Sequence, residues 1–190
     1  MPDPIWFMHF LFWWPFLWRG HVQRMKKEGA HLGEAVHRHD ASTALIVGHS
    51  IGVGAMYVGV GWGLRVSGGQ VERANLIVGS VLVLAACLLA RWVLHTFRSW
   101  RLRAELTPDH QLSTDGPFRW VRHPIYAAMN LLALGTALWV PNAWTAAGLL
   151  LIVLFGDLRG RAEEGLLLAA FGDRYRAYCQ RVKRFIPFVY

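Results

Sequence analysis

Cysteine is nearly missing from this 190-residue chain: Cys87 sits inside an apolar run, Cys179 in a basic C-terminal segment, and no Cys-x-x-Cys spacing occurs. The sequence therefore offers neither a thiolate metal or redox motif nor a framework disulfide. Basic residues are lacking ahead of the first apolar stretch, and no small-residue cleavage site follows it. Residues 5–18 are therefore not read as a removable signal peptide. Charge is absent where a soluble protein would need it. Thr43 to Leu64 has no Lys, Arg, Asp or Glu, and Asn75 to Leu94 has only Arg91. Runs of this length suit a bilayer and are too apolar for a soluble domain.

What is present agrees: 54% of residues are hydrophobic, ten are Trp, and mean hydropathy is positive. The expectation is one all-α integral membrane domain over residues 1–190, a bundle of about five transmembrane helices. Besides the two long runs, Ile125 to Val140 and Ala143 to Leu158 are divided only by Pro141-Asn142, a pair suited to the tight turn of a helical hairpin. Ile5 to Trp18 is shorter and carries Trp6, Trp13, Trp14 and Trp18, so it either spans or lies flat at the interface. The stretch after Gly160 reads as two short helices, stopped at Gly172 and restarted at Asp173. Leu167, Phe171, Tyr175, Tyr178 and Val182 recur along them at helical spacing, as if to roof a site.

The formal charge of +8 does not form one stripe, as nucleic-acid binding would require. Residues 19–42 hold five Lys and Arg, residues 91–124 six and residues 159–190 seven, which is 18 of 20. Five crossings with the N-terminus outside put all three segments on the cytoplasmic face, against anionic lipid. In the second apolar run Gly48, Gly52, Ala55, Gly59 and Gly63 share a helix face, for an internal helix contact or a homodimer seam. His31, His37 and His39 have no second cluster to complete a metal site. His49 and His95 are expected to hydrogen-bond between helices.

Two constellations can carry chemistry. Gly116-Pro117-Phe118-Arg119-Trp120-Val121-Arg122-His123-Pro124-Ile125-Tyr126 opens the fourth helix. Free backbone N–H groups there, with Arg122 and His123, suit an anion, or the stretch is a basic membrane anchor. Arg159-Gly160-Arg161-Ala162-Glu163-Glu164 leaves the fifth helix on the same face, where the two acids either favour a helix N-terminus or face the first constellation. A zwitterionic ligand would suit the combined site.

Together, Gly116-Pro117-Phe118, Arg122-His123-Pro124-x-Tyr126, the hairpin, Glu163-Glu164 and Phe171-Gly172-x-x-Tyr175-x-x-Tyr178 resemble the isoprenylcysteine carboxyl methyltransferase and phospholipid methyltransferase group. The likeness covers roughly residues 100–188; residues 1–98 match only as apolar helices, so residues 99–190 would be the catalytic, cofactor-binding half. The resemblance implies S-adenosylmethionine entering from the cytosol, a lipophilic or prenylated substrate entering from the bilayer, and C-terminal helices covering the cofactor. Its cofactor contacts map to His110, Gln111, Leu112, Ser113, Phe118, Arg122, His123, Pro124, Ile125, Tyr126 and Glu163. Arg159 falls at the substrate end, to orient an anionic acceptor, while Glu163 or Glu164 would take a proton from an amine or thiol. Departures from the pattern are Ala128 for a Gly, Phe118 for a Tyr and Lys183 for a Pro. An NADPH-dependent membrane sterol or steroid reductase shares the Arg-His-Pro-x-Tyr element but usually has Asn at the position of Ile125 and an acid near Ala127 and Ala128. A non-catalytic helical scaffold is the third reading.

Overall fold

The computed structural model describes residues 3–27, 37–38, 42–66, 72–96, 105–106 and 112–190. Among these, the helices are α1 (Pro4–Lys27), α2 (Ser42–Val66), α3 (Arg73–Thr96), α4 (Pro124–Trp139) and α5 (Ala143–Arg181). A two-residue antiparallel ladder departs from the all-α expectation. It joins β1 (His37–Arg38) to β2 (Glu105–Leu106), so the connection after α1 pairs with the one after α3. His31, His39, His110 and Gln111, and the Arg98 to Arg103 and Thr107 to Asp109 stretches, lie outside the described residues.

Three helices are long and apolar enough to cross a membrane: Thr43–Val66, Arg73–Thr96 and Ala143–Arg181. Their outer faces present Ile51, Val58, Ile77, Val81, Leu88 and Leu150, each more than half exposed. Hydrocarbon tolerates such surfaces and water does not, so the chain is a multi-pass helical membrane bundle. The shorter α4 is apolar as well.

Close backbone approach sets the pairing. α2 runs against α5: a Cβ at Gly59 would stand 2.6 Å from the Thr145 nitrogen, and one at Gly52 would stand 2.9 Å from Leu151. Gly48 and Gly63 approach Phe155 and Val140 in the same way. The glycine face is thus used within the chain, which leaves that stripe no free surface for a second copy. α3 meets α4 through Gly79 and Gly135, each beside the other's carbonyl. Asn142 caps α5, its side chain accepting from the Trp144 and Thr145 N–H groups.

α1 is packed into the bundle. Ile5 and Phe12 are fully buried, the Cys87 thiol reaches the Met8 carbonyl, and the Arg19 guanidinium donates to the Leu94 carbonyl. Of its four tryptophans, Trp6, Trp14 and Trp18 face outward, while Trp13 turns in. A directed hydrogen-bond chain ties α1 to α2 and α4. The Trp13 indole donates to the Tyr57 oxygen at 2.6 Å, and the Thr136 hydroxyl donates to the Leu132 carbonyl at 2.7 Å. Thr136 must therefore accept from His9 Nε2, at 2.9 Å, which leaves His9 Nδ1 to accept the Tyr57 hydroxyl at 2.9 Å. The interhelical histidine is thus His9. His49 is buried with neither ring nitrogen bonded among the described residues, contrary to expectation, and His95 is exposed at the end of α3.

The C-terminal elements also differ from expectation. The fifth apolar run does not end near Leu158; helix continues through Glu163 and Glu164 to Phe171. At 1.5 Å per residue, Ala143 to Gly172 measures about 45 Å, beyond a hydrocarbon core of about 30 Å. Its final turns therefore extend past the membrane. Gly172 breaks the helix with φ +51° and ψ −127°, a conformation that side chains disfavour, and the helix then resumes to Arg181.

Candidate active site

The site is built from two chain segments that lace together. Gly116–Arg119 forms a 3-10 turn, and the following strand-like residues pair with the C-terminal segment. The Arg122 N–H donates to the Lys183 carbonyl at 2.8 Å, and that of His123 to the Arg184 carbonyl at 3.1 Å. Behind them the Tyr178 hydroxyl donates to the Phe118 carbonyl at 2.6 Å, while Tyr175, Tyr178 and Val182 pack with Leu112, Leu167 and Phe171. Pro124 then begins α4 at its first turn, where a missing N–H costs nothing.

This lacing presents Arg122, His123 and Tyr126 to the acids of α5. Glu164 Oε1 accepts from Arg122 Nε at 3.0 Å and Nη2 at 2.9 Å, and from His123 Nε2 at 3.2 Å. It also accepts from Arg184 Nε at 3.0 Å, while Arg184 Nη2 reaches Oε2 at 2.7 Å. Glu163 lies 3.4 Å from His123 Nδ1 and accepts the Tyr126 hydroxyl at 2.5 Å. The Arg159 guanidinium stands over the Tyr126 ring, 5.2 Å from its centre. The remaining Arg122 donors hold the carbonyls of Cys179 and Val182.

The electrostatics follow from this crowding. Burial alone would lower the His123 imidazole, but hydrogen bonds and charge from both glutamates outweigh it and raise its pKa above 6.5. Burial opposes ionisation of Glu163 and Glu164, yet His123 bonded to both, with Tyr126 on the first and Arg184 and Arg122 on the second, holds both carboxyls below their ordinary value. The acids and bases thus compensate one another in a partly buried site.

The structure therefore brings together Phe118, Arg122, His123, Tyr126, Arg159, Glu163 and Glu164. Leu112 joins the aromatic cluster behind them, and Ser113 is half-buried nearby in sequence. The Ile125 side chain instead packs against the main bundle core. The two acids lie mid-helix, far from the N-terminus of α5, so the dipole of their own helix does not account for them and their charge partners do. Sequence reading overlooked Arg184, Phe185, Asp157 and Tyr190. The Phe185 ring lies tilted against His123 and edge-on to Tyr126, and Tyr190 donates to Asp157, which also pairs with Arg184. Only the adjacency of Lys183 and Arg184 hinted at them, and a basic pair near a membrane is usually a headgroup contact.

The donor set fits a methyl donor of the S-adenosylmethionine type. Carboxylates beside a cationic centre, cations for its carboxylate, and the buried Tyr175 hydroxyl with no partner match a zwitterionic ligand with sugar hydroxyls.

Residues 77–169 match the model of the isoprenylcysteine carboxyl methyltransferase family. The chain is 39% identical over 83 residues to the protein-S-isoprenylcysteine O-methyltransferase of Schizosaccharomyces pombe, an overlap of 43% of this chain and 35% of that one. It is 34% identical over 93 residues to the enzyme of the same name from Tribolium castaneum, covering 46% and 32%. With the probable protein-S-isoprenylcysteine O-methyltransferase of Oryza sativa subsp. indica it shares 32% over 116 residues, 60% of this chain and 58% of the relative. The chain thus spans between about a third and three fifths of the length of these curated relatives. The family model covers the charged cluster through Glu164, so the stretch that carries the cluster is similar to the isoprenylcysteine carboxyl methyltransferase family.

Proposed function

We propose that this protein transfers a methyl group from S-adenosylmethionine to a lipophilic acceptor at the cytoplasmic face of a membrane, most like the protein-S-isoprenylcysteine carboxyl O-methyltransferases. The single observation that carries the reading is the meeting of Arg122, His123 and Tyr126 with Glu163 and Glu164, about forty residues away, in the stretch shared with methyltransferases. The relatives are named for methyl transfer, which favours this donor over a nicotinamide.

S-adenosylmethionine, when bound, supplies an electrophilic methyl on a sulfonium; Leu112, Ser113, Phe118, Arg122, His123, Pro124, the Ile125 backbone, Tyr126 and Glu163 would hold it, together with His110 and Gln111. Glu164 already satisfies three cations, so its role is to fix Arg122, His123 and Arg184 in place. Glu163 has fewer partners and a side chain 27% exposed, which makes it the acid that meets ligand. Arg159, held over Tyr126, orients the acceptor. In-line displacement requires alignment and exclusion of water more than a covalent nucleophile, and the packed C-terminal segment supplies the exclusion. A carboxylate acceptor needs no base; with an amine or thiol, Glu163 takes the proton.

The topology that accompanies this reading is one membrane domain with five crossings. α1 to α3 support a catalytic half, 99–190, in which α4 and α5 form a hairpin and the end of α5 caps the cofactor from the cytosol. The alternation of basic segments and the burial of α1 support it. The test is incubation of the purified protein with methyl-labelled S-adenosylmethionine and a total lipid extract, followed by mass spectrometry. A labelled lipophilic product absent from an Arg159→Ala control is expected; no labelled product from any fraction would overturn the proposal.

A further inference from the structure

Deeper in the bundle the structure holds a second polar group of side chains that the charged cluster does not use. His49 on α2 is only 3% exposed, and neither of its ring nitrogens has a hydrogen-bond partner among the described residues. The Asn130 Oδ1 on α4 is likewise buried and unpaired. Buried polar atoms are ordinarily bonded, and in this same bundle both nitrogens of His9 are. The two side chains converge on Gly156 of α5. From the place its Cβ would take, Asn130 Oδ1 is 3.8 Å away, His49 Cε1 3.9 Å and Tyr126 Cβ 3.9 Å. Three helices thus ring a small space floored by bare backbone. Gly156 precedes Glu163 by seven residues, about 10 Å deeper along α5, with Arg159 and Tyr126 between the two levels.

We propose that His49 and Asn130 form a binding site for a neutral group with both a donor and an acceptor, an amide or a hydroxyl, in the polar head of the lipophilic acceptor. Each residue can donate and accept, and neither needs a charge to do so. With the Arg159 cation already facing His49, a neutral partner satisfies both side chains without adding a further charge. Tyr126 touches both levels, its ring 6.1 Å from that of His49 and its hydroxyl on Glu163, so a ligand seated here would lie next to the charged cluster. A site built to bond such a group discriminates strongly against analogues lacking it, because its own polar atoms are then left unpaired.

Naming the ligand as acceptor rests on the methyl-transfer reading, but binding can be measured without turnover. The probes are N-acetyl-S-farnesylcysteine and S-farnesyl-3-mercaptopropionic acid, which share the lipid chain, thioether and carboxylate and differ by the acetamido group. Binding to the full chain in detergent is followed by tryptophan fluorescence. The wild type is expected to hold the acetamido probe about tenfold more tightly, the effect of one hydrogen-bonded group in a dry site. His49→Leu and Asn130→Leu should erase that preference by weakening only the acetamido probe, with an unchanged or raised Tm, and His49→Gln should keep part of it. No preference in the wild type, or variants that weaken both probes alike or neither, would overturn the site. Methyl transfer is then assayed separately. Selective binding without transfer removes the catalytic reading and leaves this site standing, and transfer without preference does the reverse.

Discussion

Glu164 is the residue on which the charged cluster converges. It bonds Arg122 at the start of α4, His123 beside it and Arg184 near the C-terminus, so one carboxylate joins three parts of the chain. The sign of its pH dependence follows from the shifts. His123, with its pKa raised, stabilises the fold fully below about 6.5, and that contribution is lost as pH rises through the raised value. Glu163 and Glu164, with theirs lowered, stabilise above 4.5 and lose that contribution as pH falls through the lowered values. The thermal midpoint in detergent should therefore peak at intermediate pH and decline on both sides. Glu164→Gln should lower stability by about 3–5 kcal/mol, as when one partner of a buried ion pair is removed, and should flatten both limbs. Differential scanning fluorimetry over acid to alkaline buffers measures this, and an unchanged profile in the variant would deny Glu164 its central place.

Among the elements, the long apolar helices were legible because a charge-free run of about twenty residues fits hydrocarbon and little else. α2 and α3 occupy the expected runs with a few residues added at each end. The Arg122-His123-Pro124-x-Tyr126 and Glu163-Glu164 groups were legible as neighbours because the three-residue connection Val140-Pro141-Asn142 turns α5 back along α4. Less legible were features fixed by contacts distant in sequence. The burial of α1 depends on His9 finding Tyr57 and Thr136, and an aromatic stretch of that kind reads equally as an interfacial helix. The continuity of α5 past Leu158 was hidden because the acids of Arg159 to Glu164 read equally as the start of a separate helix until their charges have partners. Arg184 had only its adjacency to Lys183 as a local signal, since its meaning lies in Glu164, twenty residues earlier. The α2–α5 contact offers a direct check at this scale. Gly59→Leu would drive a side chain into the Thr145 backbone and should destabilise by at least the roughly 1–3 kcal/mol typical of overpacking, whereas Gly54→Leu, with no atom within 4 Å of its Cβ position, should be tolerated. Equal melting temperatures for the two variants would contradict the packing.

At the scale of the molecule, a bundle with outward apolar faces carries its charge at one end, where helix α5 leaves the hydrocarbon and the C-terminal segment folds back over it. Tyr126, Arg159 and Glu163 meet at that end. On the reading proposed above, the acid of α5 and the His123 end of α4 bind one methyl-donor cofactor. Calorimetric titration of S-adenosylhomocysteine into the wild type, Glu163→Gln and Arg159→Ala tests it most directly. The account predicts saturable binding to the wild type, loss of it in Glu163→Gln and retention in Arg159→Ala. A wild type that takes up no ligand, or a Glu163→Gln variant that binds as tightly as the wild type, would contradict it.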